Sequence, residues 1–197
     1  MKGKRWFGVA GTLMVLAAAM ALVVCAGGGR GQGGDNYAFT HDIGDTGPGG
    51  GIVFYRAAAA FGDGWRYLEV APENISGTKA WASIEHTSTS IVGASGAAIG
   101  TGKANTDAIL VADVNAPAAK ACADYNSAGK DDWFLPSKDE LKEMYRQKSR
   151  ITGITTNYYW SSSEVRGDVA WGQGFLFGLR DGEYKSVEAK VRPVRAF

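Results

Sequence analysis

Cysteine is nearly absent from this 197-residue chain, which holds only Cys25 and Cys122. A small exported fold stapled by disulfides needs pairs within its body, so that class is excluded. Histidine is equally scarce. His41 and His86 stand in loop-like stretches apart from cysteine and from paired carboxylates, so neither a zinc site nor a histidine-based triad assembles from them. Both read as solvated surface residues. An excess of one charge is missing as well: 21 Lys and Arg face 20 Asp and Glu, with no basic tract. Nucleic acid is therefore not an expected partner.

Long apolar runs are missing too, except at the start. Lys2, Lys4 and Arg5 precede an uncharged stretch from Trp6 to Val24, the charge-then-hydrophobic order of a secretory signal. Leu22-Val23-Val24-Cys25 resembles a bacterial lipobox, which makes residues 1–24 a signal peptide and Cys25 the lipidated residue. Val24 stands where Gly, Ala or Ser is usual, and a helix over the same residues is just long enough to remain as an uncleaved anchor. Both readings export the remainder and tether it to a membrane in the cell envelope, with the outer membrane or cell surface as the expected location. Loss of residues 1–24 takes Lys and Arg from 21 to 18 against 20 acids, a net charge of about −2. Residues 25–36 are glycine-rich and fit a flexible tether. Residues 37–197 suit one domain with a single core, expected to be monomeric.

Along that domain, the turn formers of Ile43–Gly51 lead into a strand at Ile52–Tyr55, and a second strand, Trp65–Ala71, is stopped by Pro72. Residues 73–102 are rich in Gly, Ser, Thr and Ala, an irregular loop region whose one large anchor is Trp81. Asn105 or Thr106 can cap a helix reaching Val114, and Pro117 can open a second piece reaching about Tyr125. Ile109, Ala112, Ala116, Ala119 and Cys122 then share an apolar face. Ser137-Lys-Asp-Glu140 has capping-box spacing, and Leu141, Met144 and Tyr145 follow at core-facing helical positions. Strand-like runs at 158–162, 170–177 and 187–194 complete the chain, with a hairpin turn near Asp181-Gly182. Strands, then helices, then strands predict an α+β domain with a mostly antiparallel sheet.

The order of motifs resembles the bacterial DUF1566 or Lcl C-terminal family. The stretches that carry the likeness are Ile43-Gly-Asp-Thr-Gly-Pro-Gly-Gly-Gly-Ile-Val-Phe-Tyr55, Ile99-Gly-Thr-Gly-Lys-Ala-Asn-Thr106, Cys122-Ala-Asp-Tyr125, Asp132-Trp-Phe-Leu-Pro-Ser137 with Glu140-Leu141, Tyr159-Trp-Ser-Ser-Ser-Glu164, Ala170-Trp171 and Val191-Arg-Pro-Val-Arg195. The resemblance implies a C-type-lectin-like fold related to formylglycine-generating enzymes. Two main helices pack on a twisted sheet, the N- and C-terminal strands lie side by side, and the Trp160 strand is central. It further implies a surface adhesin or polysaccharide binder. One sub-branch comprises the variable proteins of diversity-generating retroelements, in which residues 158–197 would be the diversified region.

The remaining chemistry divides between functional and structural readings. Gly96–Ala104 lacks the glycine spacing of a phosphate loop, and Ala104 stands where a magnesium-binding Ser or Thr would be, so a loop entering a helix is expected. Gly47–Gly51 fits an anion nest less well than a tight turn. Cys122 reads as a small buried thiol, which removes the reactive cysteine that formylglycine-generating chemistry needs. Asp131-Asp132 could offer carboxylates to calcium, but a solvated loop is favoured, and no metal or cofactor is expected. Trp65, Trp81, Trp133 and Trp160 are assigned to the core, along with some of Trp171, Phe175 and Phe177. Arg166, Asp168, Trp171, Gln173, Arg180, Asp181 and Tyr184 combine the aromatic, basic and amide groups that dominate binding hot spots. They form the candidate ligand face, for a glycan or protein at the cell surface. The competing functions are a formylglycine-generating-type oxidoreductase and a structural envelope lipoprotein.

Overall fold

A computed structural model describes residues 40–197; the signal, Cys25 and the tether lie outside them. The first strand, β1 (Ile52–Arg56), pairs antiparallel with β2 (Tyr67–Val70). A two-residue strand, β3 (Lys79–Ala80), and one turn of 3-10 helix at Ile84–His86 follow. Three helices come next: α1 (Gly102–Ala112), α2 (Pro117–Ala123) and α3 (Lys138–Arg146). The second half is β4 (Tyr158–Arg166), β5 (Val169–Gly174), β6 (Arg180–Tyr184), β7 (Glu188–Ala189) and β8 (Val194–Ala196). The strands form three small antiparallel sheets, ordered β1-β2-β8, β3-β7 and β4-β5-β6.

The α+β class agrees with the sequence reading, while several details differ. Among the described residues there are three helices, as the chain pattern predicts and one more than the two main helices that the family likeness implied. The single sheet expected is replaced by three small ones. The terminal strands share a sheet but do not touch, because β2 lies between β1 and β8. The hairpin turn is Phe175–Leu179, and Asp181-Gly182 sits within β6. Gly178, at φ +78°, makes the reversal that Asp-Gly was expected to make. The expected run 187–194 resolves into β7 and the start of β8, joined by residues 190–193, of which Lys190 bridges Tyr159 in parallel. That bridge flanks β4, which β5 flanks on the other side.

Adjacent residues on a strand point to opposite faces, and β4 uses this to divide the interior. Trp160 enters one core with Trp81, Ile109, Leu135, Cys122 and Val191. Tyr159 enters another with Phe54, Leu68, Phe134, Met144 and Phe175. The next three residues, Ser161–Ser163, are wholly buried, where β4 departs from regular pairing. Their hydroxyls hold neighbouring segments: Ser161 donates to Trp171 O in β5 (2.7 Å) and Ser163 to Gly96 O in the loop before α1 (2.6 Å).

Helix α1 begins earlier than expected. Asn105 and Thr106 are buried inside it rather than capping it, and Asn105 bonds the Gly96 backbone in both directions. The cap comes from far along the chain: the Glu140 carboxylate accepts from Gly100 N (2.8 Å) and Gly102 N (3.4 Å). The same side chain closes the predicted capping box, accepting from Ser137 N at 2.7 Å. One buried carboxylate thus serves the N-termini of α1 and α3, where the helix dipoles favour negative charge. Ala112, placed on the apolar face from its spacing, is exposed, since α1 ends there.

Strand β2 is buried on both faces, and Glu69 within it is wholly enclosed. Its carboxylate accepts from Gly49 N (2.9 and 3.1 Å), Gly51 N (3.0 Å) and Arg195 Nη1 (3.0 Å). Arg195 Nε donates in turn to Asp132. The glycine run is therefore a tight turn, with Gly50 at φ +77°, and its free amides are filled by the chain's own acid. A Cβ on Gly47 or Gly49 would stand 2.5 Å or 2.8 Å from Glu69 carboxylate oxygens, so glycine is needed for that approach. Asp132, read as part of a solvated loop, is exposed as expected and in addition pairs with Arg195.

Breaking one partner of a buried charge pair leaves the other unpaired and costs about 3–5 kcal/mol. Glu69→Ala is expected to lower stability by that order, measured as a drop in the urea midpoint with little change in slope.

Candidate functional site

The predicted ligand face lies on the β5–β6 hairpin. Residues directly opposite in an antiparallel pair share a face. Val169 faces Tyr184, Trp171 faces Gly182, and Gln173 faces Arg180. Trp171, Gln173, Arg180 and Tyr184 therefore look one way. Asp181, opposite Gly172, looks the other way, and its backbone carbonyl accepts from Tyr158 Oη at 2.7 Å.

The seven proposed residues do not converge fully. Gln173 is buried at 2% exposure and its Nε2 donates to Gly178 O at 3.3 Å, so it supports the hairpin turn and contacts no external ligand. Trp171 is half-buried with Lys138 Nζ 3.3 Å from its ring centroid, a cation–π contact from α3. Partial burial, together with the nearby Arg180 charge, lowers the Lys138 pKa. Arg180 reaches Asp139 at 3.4 Å, and Arg166 pairs with Asp168 at 2.8 Å. Tyr184 is exposed. A shallow cavity of about 330 Å³ runs along this edge, lined among others by Arg166, Trp171, Asp181, Glu183 and Tyr184.

Sequence reasoning missed the hairpin tip. Phe175 is buried as a core ring, whereas Leu176, Phe177 and Leu179 are 54%, 78% and 70% exposed. Isolated exposed apolar residues are ordinary, but here three fall within four residues of one turn. The signal was present in Phe175-Leu-Phe-Gly-Leu179, a run too apolar for a solvated turn.

Elsewhere, chemistry is sparse. His86 is half-buried, unlike the solvated residue expected, and His41 packs edge-on against Tyr67 and Phe197. Ser83 Oγ lies 3.1 Å and Asp113 Oδ1 3.7 Å from one and the same nitrogen of His86, Nδ1. A hydrolytic relay needs the nucleophile and the orienting acid on opposite ring nitrogens, so this trio is a loop clasp. Asp113 also accepts from Ser83 N at 2.7 Å. Cys122 is fully buried, and burial pushes its thiol well above the ordinary range, which disfavours the nucleophilic thiolate. Gly96–Gly102 is a loop entering α1. Among the described residues no cluster of three His, Cys, Asp or Glu could hold a metal ion.

With this geometry in place, the comparison with known families is decisive on membership. Residues 74–195 match the Lcl C-terminal domain. The chain belongs to the Lcl C-terminal domain family. No curated protein matches it. The Lcl C-terminal domain match takes in α1 to α3 and β3 to β7, and every residue of the proposed ligand face, but begins after β1 and β2. Those two strands complete the sheet that β8, within which the match ends, joins.

Glu140 makes the Lcl C-terminal domain sensitive to pH. Burial raises its carboxyl to about 7, against the opposing pull of its bonds from Ser137, Gly100 and Gly102. A carboxyl that titrates near 4.5 unfolded and near 7 folded contributes most stability below pH 4.5 and loses it as pH rises through 7. Measured against Glu140→Gln, which has no such titration, the wild type should lose roughly 3 kcal/mol of relative stability between pH 4.5 and 8. Paired urea titrations across that range check the sign.

Proposed function

We propose that this Lcl C-terminal domain is a non-catalytic binding module, held in the cell envelope by lipid on Cys25 and facing the cell surface. The supporting observation is the outer hairpin: exposed Leu176, Phe177, Leu179 and Tyr184 stand beside Arg166, Arg180 and half-buried Trp171. Aromatic and arginine side chains are those that carry contact energy when a partner covers them. The hairpin turn rests on α3 through Tyr145; a Cβ on Gly178 would stand 2.6 Å from the Tyr145 ring.

In this reading the scaffold is C-type-lectin-like, the protein is a monomer requiring no cofactor or metal, and the ligand is a glycan or protein at the surface. Diversification of residues 158–197 would alter the hairpin and leave α1 to α3 intact. The formylglycine-generating alternative is disfavoured by the enclosed thiol of Cys122. A purely structural envelope role would leave the exposed apolar tip without purpose.

Glycan arrays and a panel of purified surface proteins, probed with the full chain, test the proposal. Trp171→Ala with Arg180→Ala is expected to weaken a ligand found this way at least tenfold, about 1.4 kcal/mol, while the urea midpoint stays near that of wild type. Unchanged affinity in the folded double variant would place the ligand on another face.

A further inference from the structure

A second, larger cleft lies away from the hairpin. It has a volume of about 480 Å³ and is bounded by the Asp63–Trp65 loop, Gly100 and Lys103 at the start of α1, Asp132 and Phe134, and the Ala196–Phe197 segment. That size falls within the range of small-molecule sites, about 300–1,000 Å³. Its walls are aromatic. Trp65, expected in the core, packs at the core's edge: it is half-buried and stacked on Phe61, with ring centroids 3.9 Å apart and planes at 6°, and Phe134 and Phe197 contribute further rings. A Cβ on Gly64 would meet nothing within 4 Å, so the mouth is open on that side.

The charges decide the ligand class. Asp63 is exposed, and Asp132 retains 48% side-chain exposure beyond its bond to Arg195. The one lysine, Lys103, has both Asp107 carboxylate oxygens 2.8 Å from its ammonium, and Arg195 is shared between Asp132 and Glu69. Of the charged residues that line the cleft, Asp63 and Asp132 stand against Lys103, an excess of one negative charge, and Lys103 is already neutralised by Asp107. An anion would meet this excess, and a neutral apolar molecule would desolvate Asp63 without compensation. A cation on an apolar stem meets both the π faces and the carboxylates.

We propose that this cleft binds an organic ammonium group, primary or quaternary, with Trp65 as the π platform and Asp63 as the counter-charge. It is separate from the hairpin face and does not depend on the reading given to that face.

The test uses the full chain and ligand-observed NMR or calorimetry with four probes: choline, Nα-acetyl-lysine methyl ester, the uncharged choline isostere 3,3-dimethylbutanol, and methyl glucoside. One or both cations should bind saturably in the millimolar range, at least tenfold more tightly than either neutral probe, and more weakly as salt rises. The better of the two cations identifies a quaternary or a lysine-like source. Asp63→Asn and Trp65→Ala should each weaken binding at least fivefold, whereas Arg180→Ala with Tyr184→Ala should leave it intact. Absence of saturable cation binding, neutral probes binding as well as the cations, or undiminished binding in folded Asp63→Asn would each overturn the assignment. Because the hairpin variants are read separately, failure here is distinct from failure of the proposed surface role.

Discussion

The enclosed Glu69 carboxylate is the junction on which the first-described and last strands depend. It takes two amides of the entry turn and the guanidinium of Arg195, while Arg195 holds Asp132 in the segment leading to α3. One acid thereby joins residues drawn from both ends of the domain. Its burial is tolerable only because the surrounding donors replace the water it lost. β1, β2 and β8 are short strands that would hold one another weakly without this tie.

The same device recurs. Lys185, wholly buried, gives its ammonium to Glu164 at 3.0 Å and Thr89 O at 2.8 Å, with Trp81 beneath it. Arg192, also enclosed, bonds Ala71 O, Asn74 Oδ1 and Thr152 O; burial brings its guanidinium down to about 10. Glu140 does the equivalent for two helix starts. The fold relies on loops as much as on strands, and interior charges pin the loops that contain Gly49, Thr89, Gly100 and Thr152.

Local features were the most legible in the sequence. The Ser137–Glu140 box, the strand at Ile52 and the helix start at Pro117 rest on neighbours a few residues apart, and each was found within a residue or two. The start of α1 was missed because its cap is supplied by Glu140, 38 residues beyond Gly102 in the chain. Asp181-Gly182 has good turn chemistry, yet Gly182 is needed opposite Trp171, where its missing side chain leaves room within 2.8 Å of Val169. Gln173 looked available because polar residues on an outer strand usually are; it is instead buried with its amide turned to the Gly178 carbonyl of the hairpin turn. Glu69, Glu164, Lys185, Arg192 and Arg195 were invisible as interior residues, since periodicity assigns charged positions to solvent and the buried exceptions depend on partners distant in sequence. Arg192, Arg195, Glu140 and Glu164 did fall inside the stretches on which the family likeness rested.

Many of the pinning bonds end on main-chain carbonyls: those of Ala71, Thr89, Gly96 and Thr152 receive Arg192, Lys185 and Ser163. A peptide oxygen is the same whichever residue carries it. Where the carbonyl belongs to an exposed residue, as at Thr89 and Thr152, the side chain can change while the loop keeps its course. Buried Ala71, and Gly96, where a Cβ would stand 2.7 Å from Thr101, belong with the anchors that must stay constant.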